Sequence, residues 1–369
     1  MAECKFYHLP VWAAALITFL FAGQINAQFS AFFSVEGYSD DNIYNNYTQV
    51  SDFVTSLTAD AAYDVYSEQN NFELYYTGSY NFFREYIFKS STAHRIGLVN
   101  THLFSVDNNP FNAGMNYSFR INRDEFSVYD FNQFSVYANY LHKTGEGDYI
   151  QPGYLFRRNS YENFPAFSHT ENIFFFRLNS SFESGTSVIS GVEYDLKQYI
   201  EKSESPELAD QQSQLKLTAN IAQSLNDNTG LSAYVIYRSI LSEGNRYISI
   251  DDFVYYEEEV FYDVYSNEGY QAGIKLSALL AQTLLLSIAG EYSAVDFPGL
   301  PVADSEGYSL DFFREDERIT IGADLQWSLN ILLDGLILNA AWTQIRNSSN
   351  DYYYDFSNNL FSLALEYEF

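Results

Sequence analysis

Cysteine is almost missing from this 369-residue chain: there is one, Cys4. That excludes a disulfide framework and any cysteine-based zinc site. Basic residues are scarce too. Nineteen Lys and Arg stand against 48 Asp and Glu, a formal net charge of −29. A general nucleic-acid partner is excluded, because its phosphates must be met by cations. Proline (7), tryptophan (3) and methionine (2) are few. No GxGxxG or Walker pattern is present, so no glycine-rich phosphate loop is expected. Beyond residue 27 no apolar run is long enough for a helix to cross a bilayer, which takes about 20 residues. What the chain has in excess is Tyr (33) and Phe (32), within a hydrophobic content of 47% that argues against disorder.

The N-terminus reads as an address. Lys5 and His8 precede an apolar stretch over residues 11–23, and Ile25-Asn26-Ala27 closes the segment before Gln28. A basic start, a short apolar core and a small residue at the cut describe a secretory signal peptide over 1–27. Cys4 lies before the apolar core and would leave with it. Residues 28–369 then form one domain, either exported and soluble or a membrane β-barrel, the non-helical structure that satisfies its backbone in lipid.

Alternation decides between these. Ile319, Ile321, Ala323, Leu325, Trp327 and Leu329 alternate with Thr320, Gly322, Asp324, Gln326 and Ser328. Phe361, Leu363, Leu365, Tyr367 and Phe369 alternate with Ser362, Ala364, Glu366 and Glu368. Period two puts one set on each face of a strand. Such runs are about ten residues long, the length a tilted strand needs to cross a bilayer. About sixteen are expected, near 29–37, 51–66, 70–86, 93–106, 111–123, 131–143, 149–160, 168–182, 185–199, 212–225, 229–241, 266–281, 283–297, 315–329, 334–347 and 358–369.

The connections alternate in length. Short turns at 67–69, 143–148, 182–185 and 226–230 interleave with long segments at 38–50, 161–167, 200–211, 241–265, 298–314 and 346–358. Short turns on one side and long loops on the other are the habit of outer-membrane barrels. Pro110, Pro165, Pro206, Pro298 and Pro301 are assigned to connections, and Pro152 to a strand start. The 241–265 loop carries Glu243, Asp251, Asp252, Glu257, Glu258, Glu259 and Asp263 against Arg246 alone. Its carboxylates lack the spacing of a calcium-binding loop, so a solvated acidic surface is the simpler reading.

On these features the chain resembles Gram-negative outer-membrane β-barrel proteins of the porin-like kind. The most specific element is the last strand, residues 360–369. A terminal Phe369 after Tyr367 and alternating apolar residues looks like the signal read by the barrel-assembly machinery. The resemblance implies an all-β fold, a transmembrane antiparallel up-and-down barrel with short periplasmic turns and long extracellular loops. It also implies lipid-facing aromatics near the interfaces, for which Tyr117, Tyr194, Tyr237, Tyr292, Trp327, Trp342 and Tyr367 have the outward parity.

Polar parity then gives the inner wall. Its bases are Arg120, Arg157, Arg177, Lys197, Lys216, Arg238 and Lys275. Its acids are Asp60, Glu73, Glu193, Asp195, Glu291, Asp324, Glu366 and Glu368. The bases come from the fifth to twelfth strands. Apart from Glu193 and Asp195, the acids come from the thirteenth onward and, through closure, the second and third. A basic wall facing an acidic wall would place a transverse field across the lumen; the alternative is that these groups pair with one another and fill the interior. Sixteen strands leave room for water, so the expected function is passive diffusion of small hydrophilic solutes, cation-preferring where acidic loops line the mouth. The rival is a barrel closed inside, whose acidic, Tyr-rich loops engage a surface partner. His94, His102, His142 and His169 fall in no catalytic motif, and neither an enzyme activity nor a cofactor or metal is expected. The partners expected are the outer-membrane bilayer, the assembly machinery and the solutes.

Overall fold

The computed structural model describes residues 26–104, 109–202, 209–242, 267–303 and 309–369. Most of the 1–27 leader, Pro206 and nearly all of the acidic 241–265 loop therefore lie outside the described residues. Sixteen strands form the wall: β1 (Asn26–Asp40), β2 (Asp52–Tyr66), β3 (Asn70–Phe83), β4 (Ser91–Phe104), β5 (Asn109–Asn122), β6 (Phe131–Tyr140), β7 (Tyr149–Tyr161), β8 (His169–Ser181), β9 (Thr186–Tyr199), β10 (Gln211–Asn226), β11 (Thr229–Ile240), β12 (Glu268–Ala281), β13 (Leu284–Ala303), β14 (Ser309–Ser328), β15 (Leu336–Ser349) and β16 (Phe356–Glu368). A two-residue bridge, His142–Lys143, continues β6 along β7. Each strand pairs antiparallel with the next, and β1 pairs with β16 from Phe32↔Glu368 to Asp40↔Leu360. The sheet is closed and has no free edge.

Ladder register sorts the side chains into two faces, because opposite residues share a side. On one face stand exposed apolar groups: Phe33, Ile96, Met115, Phe174, Ile274, Ile321 and Leu363 are each about half exposed. On the other are buried polar ones, among them Ser118, Asn159, Gln214, Ser287 and Asn358. An apolar exterior around a polar interior is the arrangement lipid imposes, since hydrocarbon solvates neither backbone nor charge.

The short turns, the start of β1 and the end of β16 lie at one rim. At the seam, Ala31 and Phe369 exchange backbone hydrogen bonds of 2.9 and 3.0 Å. The Phe369 ring lies 6.1 Å from Phe29, 6.2 Å from Phe33 and 5.8 Å from Tyr367. Three-residue 3₁₀ turns occur in the opposite, long-loop rim at Ile87–Lys89, Pro165–Phe167 and Tyr352–Tyr354, and a six-residue one at Asp124–Tyr129.

Two expectations are corrected. The 298–314 segment is not a long loop: β13 and β14 run 20 residues each and pair up to Ala303↔Ser309. Pro298 and Pro301 thus sit inside β13, where the register shifts between Phe297 and Pro301. An irregularity of this kind leaves a residue outside the ladder, so a missing N–H costs little there. Pro110 likewise lies in β5, paired with Leu103.

Candidate pore wall and mouth

The fifteen charged residues assigned to the wall share one face of the ladder, opposite the exposed apolar groups. Asp60 and Glu73 are linked through rungs Asp60↔Thr77 and Asp64↔Glu73. The register continues inward through Arg120, Arg157 and Arg177 to Lys197, Lys216, Arg238 and Lys275. It then passes Glu291 and Asp324 to Glu366 and Glu368, which closure returns to β1. Tyr367 and Phe369 fall on the outer face.

The two sides of the wall differ in how charge is held. From β7 to β10 acids and bases are mixed. Arg157 Nη1 donates to Glu171 Oε2 at 2.8 Å, and Lys216 pairs with Glu193. His169 adds a 3.3 Å contact to Glu171 and a 2.8 Å contact to Asn159. Arg120 is held by Asn122, and Arg177 lies over the Phe175 ring at 4.7 Å. Among the described residues, no acid lies within ion-pair distance of Arg177, Arg238 or Lys275. On the other side, Asp60, Glu73, Asp324, Glu366 and Glu368 have no basic partner among the described residues. Asp60 Oδ1 is covered and has no hydrogen-bond partner. Interior charges not singled out from the sequence include Glu36, Asp64, Arg95, Glu171 and Arg318. Glu171 shares parity with Arg177, six residues on, and that spacing could have found it.

The mouth is partly filled. Ile43, Tyr44, Val54, Phe83, Phe126 and Tyr129 form a buried apolar cluster, with Tyr38, Val50, Tyr86, Phe88 and Val128 packed against it. Val54 and Phe83 are ladder partners on the interior face. The loops 41–51, 84–90 and 123–130 therefore fold inward over the strand ends of β2 to β5. Lys89 Nζ lies 5.0 Å from the Tyr44 ring, 5.6 Å from Phe83 and 5.7 Å from Phe126, a cation held by aromatic faces. Asp52 fixes the second loop by accepting from the backbone N–H of Glu85 (3.0 Å) and Tyr86 (3.0 Å). The first loop is tied across the seam: Asn42 donates to the Ser357 carbonyl, Asn358 donates to the Asn42 carbonyl, and Asn46 donates to the Tyr353 hydroxyl. Those ties hold Asn45 and Gln49 at φ of 48° and 49°, a region that side-chain-bearing residues adopt at a cost.

A second anchor sits where β14 leaves the wall. Arg314, 3% exposed, grips the Asp316 carboxylate with Nε (2.9 Å) and Nη2, and lies over Tyr354 (3.2 Å) and Phe297 (4.3 Å). It locks the β13–β14 hairpin to the 350–355 loop.

A closed ring of sixteen antiparallel strands, apolar outside and charged within, is the architecture of a porin-like outer-membrane barrel. No protein-family model matches the chain, and no curated protein does. Solved structures do. OccAB1 of Acinetobacter baumannii superposes with a TM-score of 0.53 at 9% identity, over 93% of this chain and 96% of that one. OccK8 (OprE) of Pseudomonas aeruginosa gives 0.51 at 9% identity, over 93% and 98%. A bacterial polysaccharide outer membrane secretin gives 0.50 at 11% identity, over 92% and 98%. At such identities the likeness is one of fold.

Proposed function

We propose that the barrel is a passive channel for small hydrophilic solutes, with a field directed across its lumen. The observation that carries this is the segregation of unpaired interior charge: Asp324, Glu366, Glu368, Asp60 and Glu73 on one sector, and Arg177, Arg238 and Lys275 on the other. In a narrow lumen with low-dielectric walls such sectors orient a dipolar solute and sort ions. The acidic balance of the loops adds a preference for cations at the mouth. The similar folds named above include both Occ proteins and a polysaccharide secretin, so the fold leaves the solute open.

The test is single-channel recording in a planar bilayer under a salt gradient. Discrete steps with a cation-side reversal potential are expected. Asp324→Asn with Glu366→Gln should move that potential towards anions, and Arg238→Gln with Lys275→Gln should move it the other way. Both shifts should shrink near 1 M salt, where the screening length falls to about 3 Å. Folded protein that gives no steps would sink the channel reading. The packed mouth would then favour the rival, a closed barrel whose loops are the binding surface.

The proposal extends to export and assembly. Residues 1–27 act as the leader, and cleavage after Ala27 would remove only the rungs Asn26↔Tyr66 and Ala27↔Val65. Tyr367 and Phe369 serve as the assembly signal as well as seam packing. Phe369→Ala should lower the amount of heat-modifiable, folded barrel in cells while the purified chain still refolds in detergent. Equal losses in both settings would leave Phe369 a packing role alone.

A further inference from the structure

The short-turn rim has one anomalous member. Most of its turns are polar: 67–69 reads Ser-Glu-Gln, 144–148 reads Thr-Gly-Glu-Gly-Asp and 227–228 reads Asp-Asn. The β14–β15 turn reads Leu-Asn-Ile-Leu-Leu-Asp-Gly over 329–335. Its tip is bare: Ile331 is 96% exposed, Leu332 75% and Leu333 49%. Aliphatic side chains in water are unfavourable, and three in a row at a turn demand a cover.

We propose that this turn inserts into the periplasmic leaflet of the outer membrane and anchors that side of the barrel. Three observations select lipid as the cover. First, the tip continues the lipid-facing belt. On one flank Leu325 and Trp327 of β14 point outward, and on the other Leu336 of β15 pairs with Tyr367. Phe369, Phe29 and Phe33 extend the same apolar surface across the seam. Second, the backbone satisfies itself as a helical turn. Leu332 and Leu333 donate to the Leu329 carbonyl at 2.8 and 3.2 Å, and Leu336 donates to the Leu333 carbonyl at 3.1 Å. A turn with internal hydrogen bonds enters an interface at lower cost than an open loop. Third, the turn is braced. Glu368 donates its N–H to the Gly335 carbonyl at 3.1 Å, and Gly335 has φ of 80°. A Cβ there would come within 2.0 Å of the Glu368 carbonyl oxygen. Within the turn only Asp334 is charged.

The test is site-directed spin labelling of the full chain in phosphatidylethanolamine–phosphatidylglycerol vesicles. Because Cys4 is the single cysteine, Cys4→Ser with Leu332→Cys gives one label. Cys4→Ser with Glu146→Cys labels the polar β6–β7 turn at the same rim. Collisions with oxygen and with a water-soluble nickel chelate report depth. The 332 label should favour oxygen and lie about 5–10 Å below the headgroup level, as interfacial anchors do, while the 146 label should favour nickel. A 332 label as open to nickel as the 146 label overturns the proposal. A 332 label shielded from both reagents also overturns it, because protein, a second copy or another partner, would then be the cover.

Discussion

Phe126→Ala should open the mouth. Phe126 is fully buried at the centre of the inward-folded loops, against Phe88 at 5.7 Å and Tyr129 at 5.7 Å, with Lys89 over its face. Truncating a buried Phe costs about 3–5 kcal/mol, partly as lost transfer energy and partly as the cavity left behind. The wall does not depend on Phe126, which belongs to no ladder, and Val54 and Phe83 keep their rung without it. The loss should therefore fall on the loops 41–51, 84–90 and 123–130, which few other apolar contacts hold in. Single-channel conductance should rise, current noise should increase, and these loops should become sites of limited proteolysis while the barrel stays heat-modifiable. Unchanged conductance with unchanged protease resistance would show that the cluster does not set the opening.

Arg314→Ala should release the β13–β14 hairpin. Removing one partner of a buried ion pair leaves the other charge uncompensated, at about 3–5 kcal/mol. Here Asp316 would be that charge, at 2% exposure. Two aromatic stacks, on Tyr354 and Phe297, would vanish with it. Hydrogen exchange over 297–303, 309–316 and 350–355 should accelerate sharply, with the ladders below Ile319 unaffected. Arg314→Lys keeps the charge and loses the planar fork, so it should fall between. Arg314→Ala with Asp316→Ala should recover part of the loss. If the single Ala variant exchanges like the wild type, the pair does not hold the hairpin.

The strands were legible because lipid on one side and water on the other write a period of two into the sequence. Ile319 to Leu329 and Phe361 to Phe369 carry it plainly. Where that contrast disappears, so does the signal. Leu310-Asp311-Phe312-Phe313-Arg314 keeps no clean alternation, so the upper part of β14 reads as loop, yet Phe313 pairs with Pro301 and Arg314 with Phe297. Two prolines in 298–301 reinforced the loop reading, although an irregular ladder tolerates them. Arg95 escaped notice because β4 alternates poorly, with His94 and Arg95 side by side on opposite faces. The mouth was hidden for a different reason. Ile43-Tyr44 and Phe126 to Tyr129 follow no period, and their burial depends on Val54 and Phe83 from other strands. Only three-dimensional closure brings them together.

The seam has a consequence for biosynthesis. Phe32 meets Glu368 and Ala31 meets Phe369, so β1, the first strand made, waits for the last. Until β16 is present, β1 offers one unpaired edge and a row of outward phenylalanines, and no local ladder can conceal them. Closing a loop of this span adds little free energy per added residue but cannot be done piecemeal. A chain that stops short of β16 therefore has no way to hide β1. Completion of the ring is what conceals the β1 edge, and a chain cut before β16 keeps that edge open.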